Sequence, residues 1–296
     1  MSTRSLTLVD PVHLKAHDYC ASIIKTKAHS FYFASRFLPV SKRHDVFALY
    51  AFCRVVDDIA DVPQLDVPAA AIYRQLDGWR SWLLAGAPID AGDPIKYALG
   101  HVVRVHDLPL RPLVDLVETV QQDMEPRHLE SAAALDGFCY GVAGTVGIVM
   151  AALLGTREPL ALDYARDLGI AMQLTNVLRD VGEDLRRGRI YLPADAMAQF
   201  DYTRQDLERG VVDERFVALM QMHIDSARRY YDRGLDGLRY LPHDSQFPIA
   251  VAARTYAGIL VKIERASFDV FSQRARTRRR DKLLLAARLY ATRVQL

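Results

Sequence analysis

Two clusters of carboxylates and amides carry the chemistry that this sequence advertises. The first is Asp57, Asp58 and Asp61 in CRVVDDIAD; the second is Asn176, Asp180, Glu183 and Asp184 in NVLRDVGED. A helix turns once in about 3.6 residues, so Asp57 and Asp61 project from one side. Gln173, Asn176, Asp180 and Asp184 recur at three- and four-residue steps and form a second column. Stacked carboxylates repel one another, which an ordinary surface helix has no reason to tolerate. Two such columns could hold divalent cations between them, and cations held that way bind phosphate-bearing substrates.

The ligand types narrow the metal. Hard oxygen donors from carboxylates and amides suit Mg²⁺ or Mn²⁺ better than zinc. Mg²⁺ keeps several waters and is completed by substrate phosphates, so few carboxylates are needed from each side. Arg54 can reach Asp57 or Asp58 one turn later, and Arg179, Arg186, Arg187 and Arg189 flank the second column. Guanidinium groups hold phosphate oxygens through paired hydrogen bonds. Taken alone, the first cluster also reads as a solvated acidic helix end neutralised by Arg54. The second cluster makes that plainer reading hard to sustain for the pair.

The elements that must position these residues are helices. Apolar residues recur at three- and four-residue intervals near 12–36, 41–61, 68–86, 94–105, 110–124, 134–154, 159–186, 213–238 and 247–271, with a last helix at 280–293. Breakers separate them at 62–68, 86–94, 155–159, 188–193 and 241–248. Alternating β-type runs, fixed-period repeats and long low-complexity linkers are absent. The expectation is a single all-α domain over residues 1–296.

Composition excludes several classes. The 296 residues are 50% hydrophobic and 25% charged, with a net charge of +2, which gives no argument for a nucleic-acid binder. Arginines concentrate in RARTRRRDK at 274–282; a solvated basic stretch and a contact with anionic lipid headgroups or a diphosphate are both open readings. Cys20, Cys53 and Cys139 form no CxxC pair, which argues against a disulfide framework and a zinc site and fits a reducing compartment. The N-terminal segment lacks the apolar core of a signal peptide. The apolar stretch 142–155 is short for a bilayer span and reads as a buried helix. A cytoplasmic protein, at most peripheral to a membrane, is expected.

GVAGTVG at 141–147 suggests a nucleotide loop, but its spacing is GxxGxxG, no strand precedes it, and no GxxxxGK[ST] occurs. Small residues at such steps in an apolar helix instead permit close approach of a neighbouring helix or of a long hydrocarbon chain.

The strings HSFYFASRFLP, ALYAFCRVVDDIAD, YGVAGTVG and QLTNVLRDVGEDLRRGRIYLP, in that order, resemble the squalene and phytoene synthase family. RTYAGILVKIERASFDVF at 254–271 is similar to its C-terminal part, so the resemblance covers nearly the whole chain. It implies an isoprenoid-synthase-type helical bundle around a central apolar channel. It also implies head-to-head joining of two isoprenyl diphosphates through a cyclopropylcarbinyl diphosphate, with three Mg²⁺ ions. On the matching positions, Asp57, Asp61, Asn176, Asp180 and Asp184 would be metal ligands. Arg54, Arg179 and Tyr191 would contact diphosphate, with Ser30 and Tyr50 at the same end and Arg274 a looser match. Val142, Ala143, Val146 and Gly147 would wall the hydrocarbon channel. One departure stands out: the family commonly reads Tyr-Cys where this chain has Phe138-Cys139. Phe138 keeps a ring for cation–π contact with substrate but has no hydroxyl.

The leading expectation is phytoene from two geranylgeranyl diphosphates. The runner-up applies the same chemistry to two farnesyl diphosphates, giving presqualene diphosphate, dehydrosqualene or squalene. No nicotinamide motif is present, which favours a product made without NADPH. A non-catalytic scaffold relative would be expected to lose the carboxylates, and this chain keeps them. Terpene cyclases and head-to-tail prenyltransferases also use aspartate columns, but NxxxDxxED followed by RRGRIYLP fits neither well. The sequence carries no signal for an oligomeric state.

Overall fold

The protein is represented by a computed structural model that describes residues 11–61, 68–124, 128–156 and 158–292, the side chain of residue 61 excepted. Fourteen α-helices are present among these residues: α1 (Pro11–Lys27), α2 (His29–Ser35), α3 (Val40–Asp61), α4 (Ala69–Leu84), α5 (Pro94–His106), α6 (Arg111–Gln122), α7 (Ala132–Cys139), α8 (Thr145–Leu154), α9 (Pro159–Arg186), α10 (Ala194–Gln199), α11 (Arg204–Glu208), α12 (Glu214–Asp236), α13 (His243–Arg265) and α14 (Arg279–Ala291). The extended exception among the described residues is an isolated bridge between His128 and Ile190. The all-α expectation holds, and the arrangement is a helical bundle. The breaker expected at 62–68 lies almost wholly outside the described residues.

Local chemistry sets many of the ends. Asp93 accepts from the backbone of Ile95 and Lys96, with Pro94 pre-set in the first turn of α5. Asp213 caps α12 in the same way. Gly155 closes α8 in the left-handed region, at φ +102°. Two short helices, α10 and α11, lie where the apolar periodicity is too brief to register.

Three departures from the expected boundaries shape the site. The helix expected over 12–36 is divided at Ala28, whose φ of −133° and ψ of 64° leave the helical region. Neither Gly nor Pro stands there, so periodicity runs straight through the break. The helix expected over 134–154 contains a π turn, Tyr140–Gly144, closed by the Thr145 N–H donating to the Tyr140 carbonyl. The helix expected over 247–271 spans 243–265 instead. Ser267 and Phe268 adopt positive φ and fold the chain back over α9. Gly182 admits this return: a Cβ there would lie 2.7 Å from the Val270 carbonyl oxygen.

The core has two large parts. One gathers α1, α3, α4, α5, α6 and α8 around Phe52, Leu99 and Leu116; the other gathers α9, α12 and α13 around Leu174, Phe216 and Tyr231. Val142 and Ile249 pack against both. The continuous helical run Ala132–Leu154 is long and apolar enough to cross a membrane by length and composition. Here it packs against α6 and α9 within the bundle. Gly147 lets it approach: a Cβ there would meet the Ala165 carbonyl oxygen at 2.1 Å.

Candidate active site

Between the two core parts lies an apolar cavity of about 260 Å³. Its wall includes Phe31, Ala34 and Ser35 from α2, Leu49, Tyr50 and Cys53 from α3, and Val142, Ala143, Val146 and Gly147 from the π turn and α8. The break at Ala28 is what turns α2 to present its residues there. Along α9 the lining runs from Ala161 through Ala165 and Met172 to Gln173 and Asn176. Fifteen residues of α9 separate its ends, which is about 22 Å of helix. Gln173, Asn176 and Tyr50 make one end polar, and the carboxylates follow it, Asp180 one turn beyond Asn176 on α9 and Asp57 two turns beyond Tyr50 on α3.

On α3, Arg54 donates to Asp58, the second of the two partners open to it from spacing alone. Lys27 approaches Asp58 at 3.8 Å. The Arg54 Nε is buried with no hydrogen-bond partner, an unanswered donor at the polar end. Asp57 is half-buried. Asp61 is the last residue of α3, and its side chain lies outside the described residues. Ser30, on α2, is half-buried beside the lining residue Phe31 but is not itself in the cavity wall.

On α9, Asp180 sits between two guanidinium groups. Arg179 Nε and Arg274 Nε each donate to Oδ1 at 2.7 Å, and both terminal nitrogens reach Oδ2. Arg274 also approaches Glu183 at 3.6 Å. Burial works to raise the Asp180 carboxyl, but these hydrogen bonds outweigh it and hold the group below the usual carboxylate range. Asp184 behaves oppositely: burial, then the neighbouring Asp180, push its carboxyl up to about 7 against the pull of Arg187 and Arg189. Burial is the larger of the two causes. One turn before Asp180, the Asn176 Nδ2 donates to Gln173 at 3.1 Å, while the buried Asn176 Oδ1 has no partner.

Those features bear on a metal. An unanswered amide oxygen, a carboxyl that resists ionisation because it is buried beside another carboxylate, and an all-oxygen donor set suit a hard divalent cation. Among the described residues no three His, Cys, Asp or Glu groups already converge as a metal centre. The donors instead lie on two helices at the polar end of one cavity.

Tyr256, not singled out from sequence, joins the two sides. It lines the cavity, stacks on Phe31 at 5.1 Å, influences Tyr50 electrostatically, and is a hydrogen-bond partner of Arg179. Its only signal in the sequence is its place in RTYAGIL, at helical spacing with Ala252 and Ile249.

Two sequence-predicted site residues fall elsewhere. Phe138 does not line the cavity; it is buried against Tyr191, ring centroids 4.6 Å apart and nearly parallel. An uninterrupted helix would put Phe138 and Val142 on one face, but the π turn inserts a residue between them and rotates Phe138 away. Tyr191 donates its hydroxyl to Asp123 at 2.6 Å and lines a small recess with Asp184 and Arg189. Burial and Asp123 both push its phenol upward, so it stays protonated. It buttresses Asp184 from behind rather than facing the cavity.

Residues 24–281 match the family model for squalene/phytoene synthase. The chain is 38% identical over 276 residues to phytoene synthase of Arthrospira platensis, covering 88% of this chain and 87% of that one. It is 38% identical over 276 residues to 15-cis-phytoene synthase of Synechococcus elongatus, with 88% of each chain covered. A dehydrosqualene synthase crystal structure, 30% identical, superposes with a TM-score of 0.86 over 96% of this chain and 98% of that one. With the family model and these relatives matching it over most of its length, the chain belongs to the squalene/phytoene synthase family.

Proposed function

We propose that this protein is a prenyltransferase that joins two geranylgeranyl diphosphates head to head, through a cyclopropylcarbinyl diphosphate, to give phytoene. The observation that carries the choice of substrate is the length of the cavity. A prenyl chain advances roughly 5 Å per five-carbon unit, from carbon–carbon bonds of about 1.5 Å. Four units need about 20 Å, close to the run of α9 from Asn176 to Ala161, about 22 Å; three units leave a third of it unused. The phytoene synthases of Arthrospira platensis and Synechococcus elongatus support the same reading.

The polar end would perform the ionisation. Asp57, Asp61, Asn176, Asp180 and Asp184 would hold Mg²⁺, or Mn²⁺, which neutralises charge developing on the departing diphosphate. Arg54 offers its unanswered Nε to a phosphate oxygen. Arg179 and Arg274, which hold Asp180 with paired hydrogen bonds, are placed to pass those donors to the diphosphate once Asp180 turns to a cation. The allylic cation left behind would sit beside the rings of Phe31, Tyr50 and Tyr256, whose faces stabilise positive charge. The apolar wall beyond excludes water, so the cation is captured by the second prenyl chain rather than hydrolysed. No step calls on NADPH.

Long apolar products leave toward a membrane. In α14, Leu283, Leu284 and Tyr290 are exposed beside Arg279, Arg280 and Arg288, which supports peripheral contact with an anionic bilayer. Neither nucleic-acid binding nor a scaffold role is part of this reading.

The test is product analysis with Mg²⁺ and either geranylgeranyl or farnesyl diphosphate, with and without NADPH. A forty-carbon product from the former, independent of NADPH, is expected. A preference for farnesyl diphosphate in kcat/KM, with a thirty-carbon product, would replace this reading with the runner-up.

A further inference from the structure

The end of the cavity remote from Asn176 is closed where three parts of the chain converge. Gly169 of α9 lies against Ala143, and Gly147 against Ala165, so α8 and α9 run antiparallel and Leu154 comes level with the start of α9. The turn between α2 and α3 adds Leu38 to the wall, and the segment between α12 and α13 adds Leu238 and Leu241. Pro242 abuts the end of α8: a Cβ on Gly155 would lie 3.6 Å from its Cγ. One ammonium ties the three parts together. Lys42, in the first turn of α3, donates to the Leu154 carbonyl at 3.1 Å, to Asp244 Oδ1 at 2.6 Å and to Ser245 Oγ at 3.1 Å. All three of its donors are thereby used. Ser245 is buried and donates its own hydroxyl to Asp244 at 2.9 Å. Leu154 ends α8, so its carbonyl has no partner within the helix, and a cation is well placed there.

We propose that Lys42 is a positioning residue: by holding these three parts together it fixes the closed end of the cavity and sets the longest prenyl chain that the site accepts. The proposal rests on the prenyltransferase reading. Lys42 is not in the cavity wall, and it precedes Asp57 by fifteen residues of α3, about 22 Å along the helix, so it acts through other residues. The paths to the wall are short. Leu38 stands four residues before Lys42 and Val46 four after it, and both line the cavity. On the opposite side, Gln246 donates to the Leu241 carbonyl at 2.9 Å, which couples Leu241 to the tied turn of α13. That turn needs the tie. Pro248, in the cavity wall and inside α13, has no N–H for the Asp244 carbonyl four residues back, so the helix holds its first turn with one bond fewer. A further five-carbon unit asks this wall to yield by about 5 Å. The Lys42 side chain is 21% exposed, so water competes little for its donors. Asp244 is 45% exposed and can turn to water when the ammonium is removed, so the wall loosens without stranding a buried charge.

The test is the ratio of kcat/KM for the five-unit geranylfarnesyl diphosphate to that for geranylgeranyl diphosphate, with Mg²⁺. In the parent the ratio should lie about tenfold or more below one. Lys42→Met keeps an unbranched stem without the charge and should raise the ratio about tenfold, through a lower KM for the longer substrate rather than a change in kcat. Asp244→Ala should move it the same way, by about threefold. A merely structural tie would lower the thermal midpoint and the turnover of both substrates together. An unmoved ratio in both variants, with an active parent, would overturn the proposal and leave the prenyltransferase reading standing. Should Lys42→Met not fold, the exposed Asp244→Ala decides alone. A parent that prefers farnesyl diphosphate moves the comparison down by one unit, and the same gain is then read on geranylgeranyl diphosphate. No product from any of the three diphosphates in the parent would overturn that reading and this proposal with it.

Discussion

The two halves of the polar end are built differently. On α3, Asp57 is half-buried and its neighbour Asp58 takes both Arg54 and Lys27. On α9, Asp180 is gripped by two arginines while Asp184, four residues on, is buried beside it and its carboxyl is pushed up to about 7. The α3 half thus presents a carboxylate with one guanidinium beside it. The α9 half holds an arginine-paired carboxylate and a buried carboxyl that resists ionisation within one turn. A substrate bearing its own negative charge and arriving with cations answers both conditions: phosphate oxygens engage the arginines, and cations relieve Asp184. The contrast suggests that the α9 half orders the diphosphate and the α3 half completes its charge balance.

The largest effects should follow from removing one carboxylate on either side. Asp57→Asn and Asp180→Asn should each lower turnover by about 10³-fold or more, measured as product formed, with helical circular dichroism retained. Excess EDTA should abolish turnover in the parent. Full activity in either variant, or activity that persists in EDTA, would end the metal mechanism and with it the comparison between the halves. Asp180→Asn should also release Arg274, seen as faster proteolysis within 266–278, which Asp57→Asn should not cause.

A smaller effect is expected at Asn176. Its Oδ1 has no partner in the protein, and its Nδ2 contributes one hydrogen bond to Gln173. Asn176→Leu should therefore change stability by no more than about 1 kcal/mol, yet lower turnover about 10–100-fold and raise the Mg²⁺ concentration needed for half-maximal rate. An Asn176→Leu protein with the parent's Mg²⁺ dependence would mean that the orphaned oxygen is not a ligand.

Tyr191 sharpens the same contrast from behind the α9 half. Tyr191→Phe leaves Asp123 without its 2.6 Å hydrogen bond, a loss of about 1–3 kcal/mol of stability. Its hydroxyl is turned from the cavity, so kcat should stay within about threefold of the parent, under 1 kcal/mol of barrier. A collapse of KM and kcat together, in a protein of unchanged thermal midpoint, would place Tyr191 on the substrate instead.

Much of this architecture is legible in the chain because helices write their faces at a fixed period. The spacing of Asp57 and of Asn176, Asp180 and Asp184 places each set on one helix, and Val142, Ala143, Val146 and Gly147 do line the cavity. What escaped were features that break the period without changing composition. Ala28 interrupts a helix with no Gly or Pro to announce it, and the π turn at Tyr140–Gly144 shifts register inside an apolar run. Pairings between distant segments were also hidden. Arg274 reaches Asp180 only because Ser267 and Phe268 reverse the chain, and Tyr256 meets Arg179 only through the packing of α13 on α9.

Phe138 is where that hidden register has a consequence for chemistry, and it should give the smallest effect. Read as a continuous helix, Phe138 shares a face with Val142, and its missing hydroxyl would matter to a cation in the cavity. With the π turn in place, its ring lies flat on Tyr191 and 6% exposed, off the cavity wall. Phe138→Tyr should then leave the product distribution unchanged and kcat within about threefold. Its added hydroxyl enters a buried site with no donor or acceptor assigned to it, at a cost of about 1–3 kcal/mol. The measurable result is a lower thermal midpoint with the same product. If the product changes while the midpoint does not, the tyrosine reaches the reacting chains, the register of the π turn is wrong, and the two faces of this helix must be exchanged.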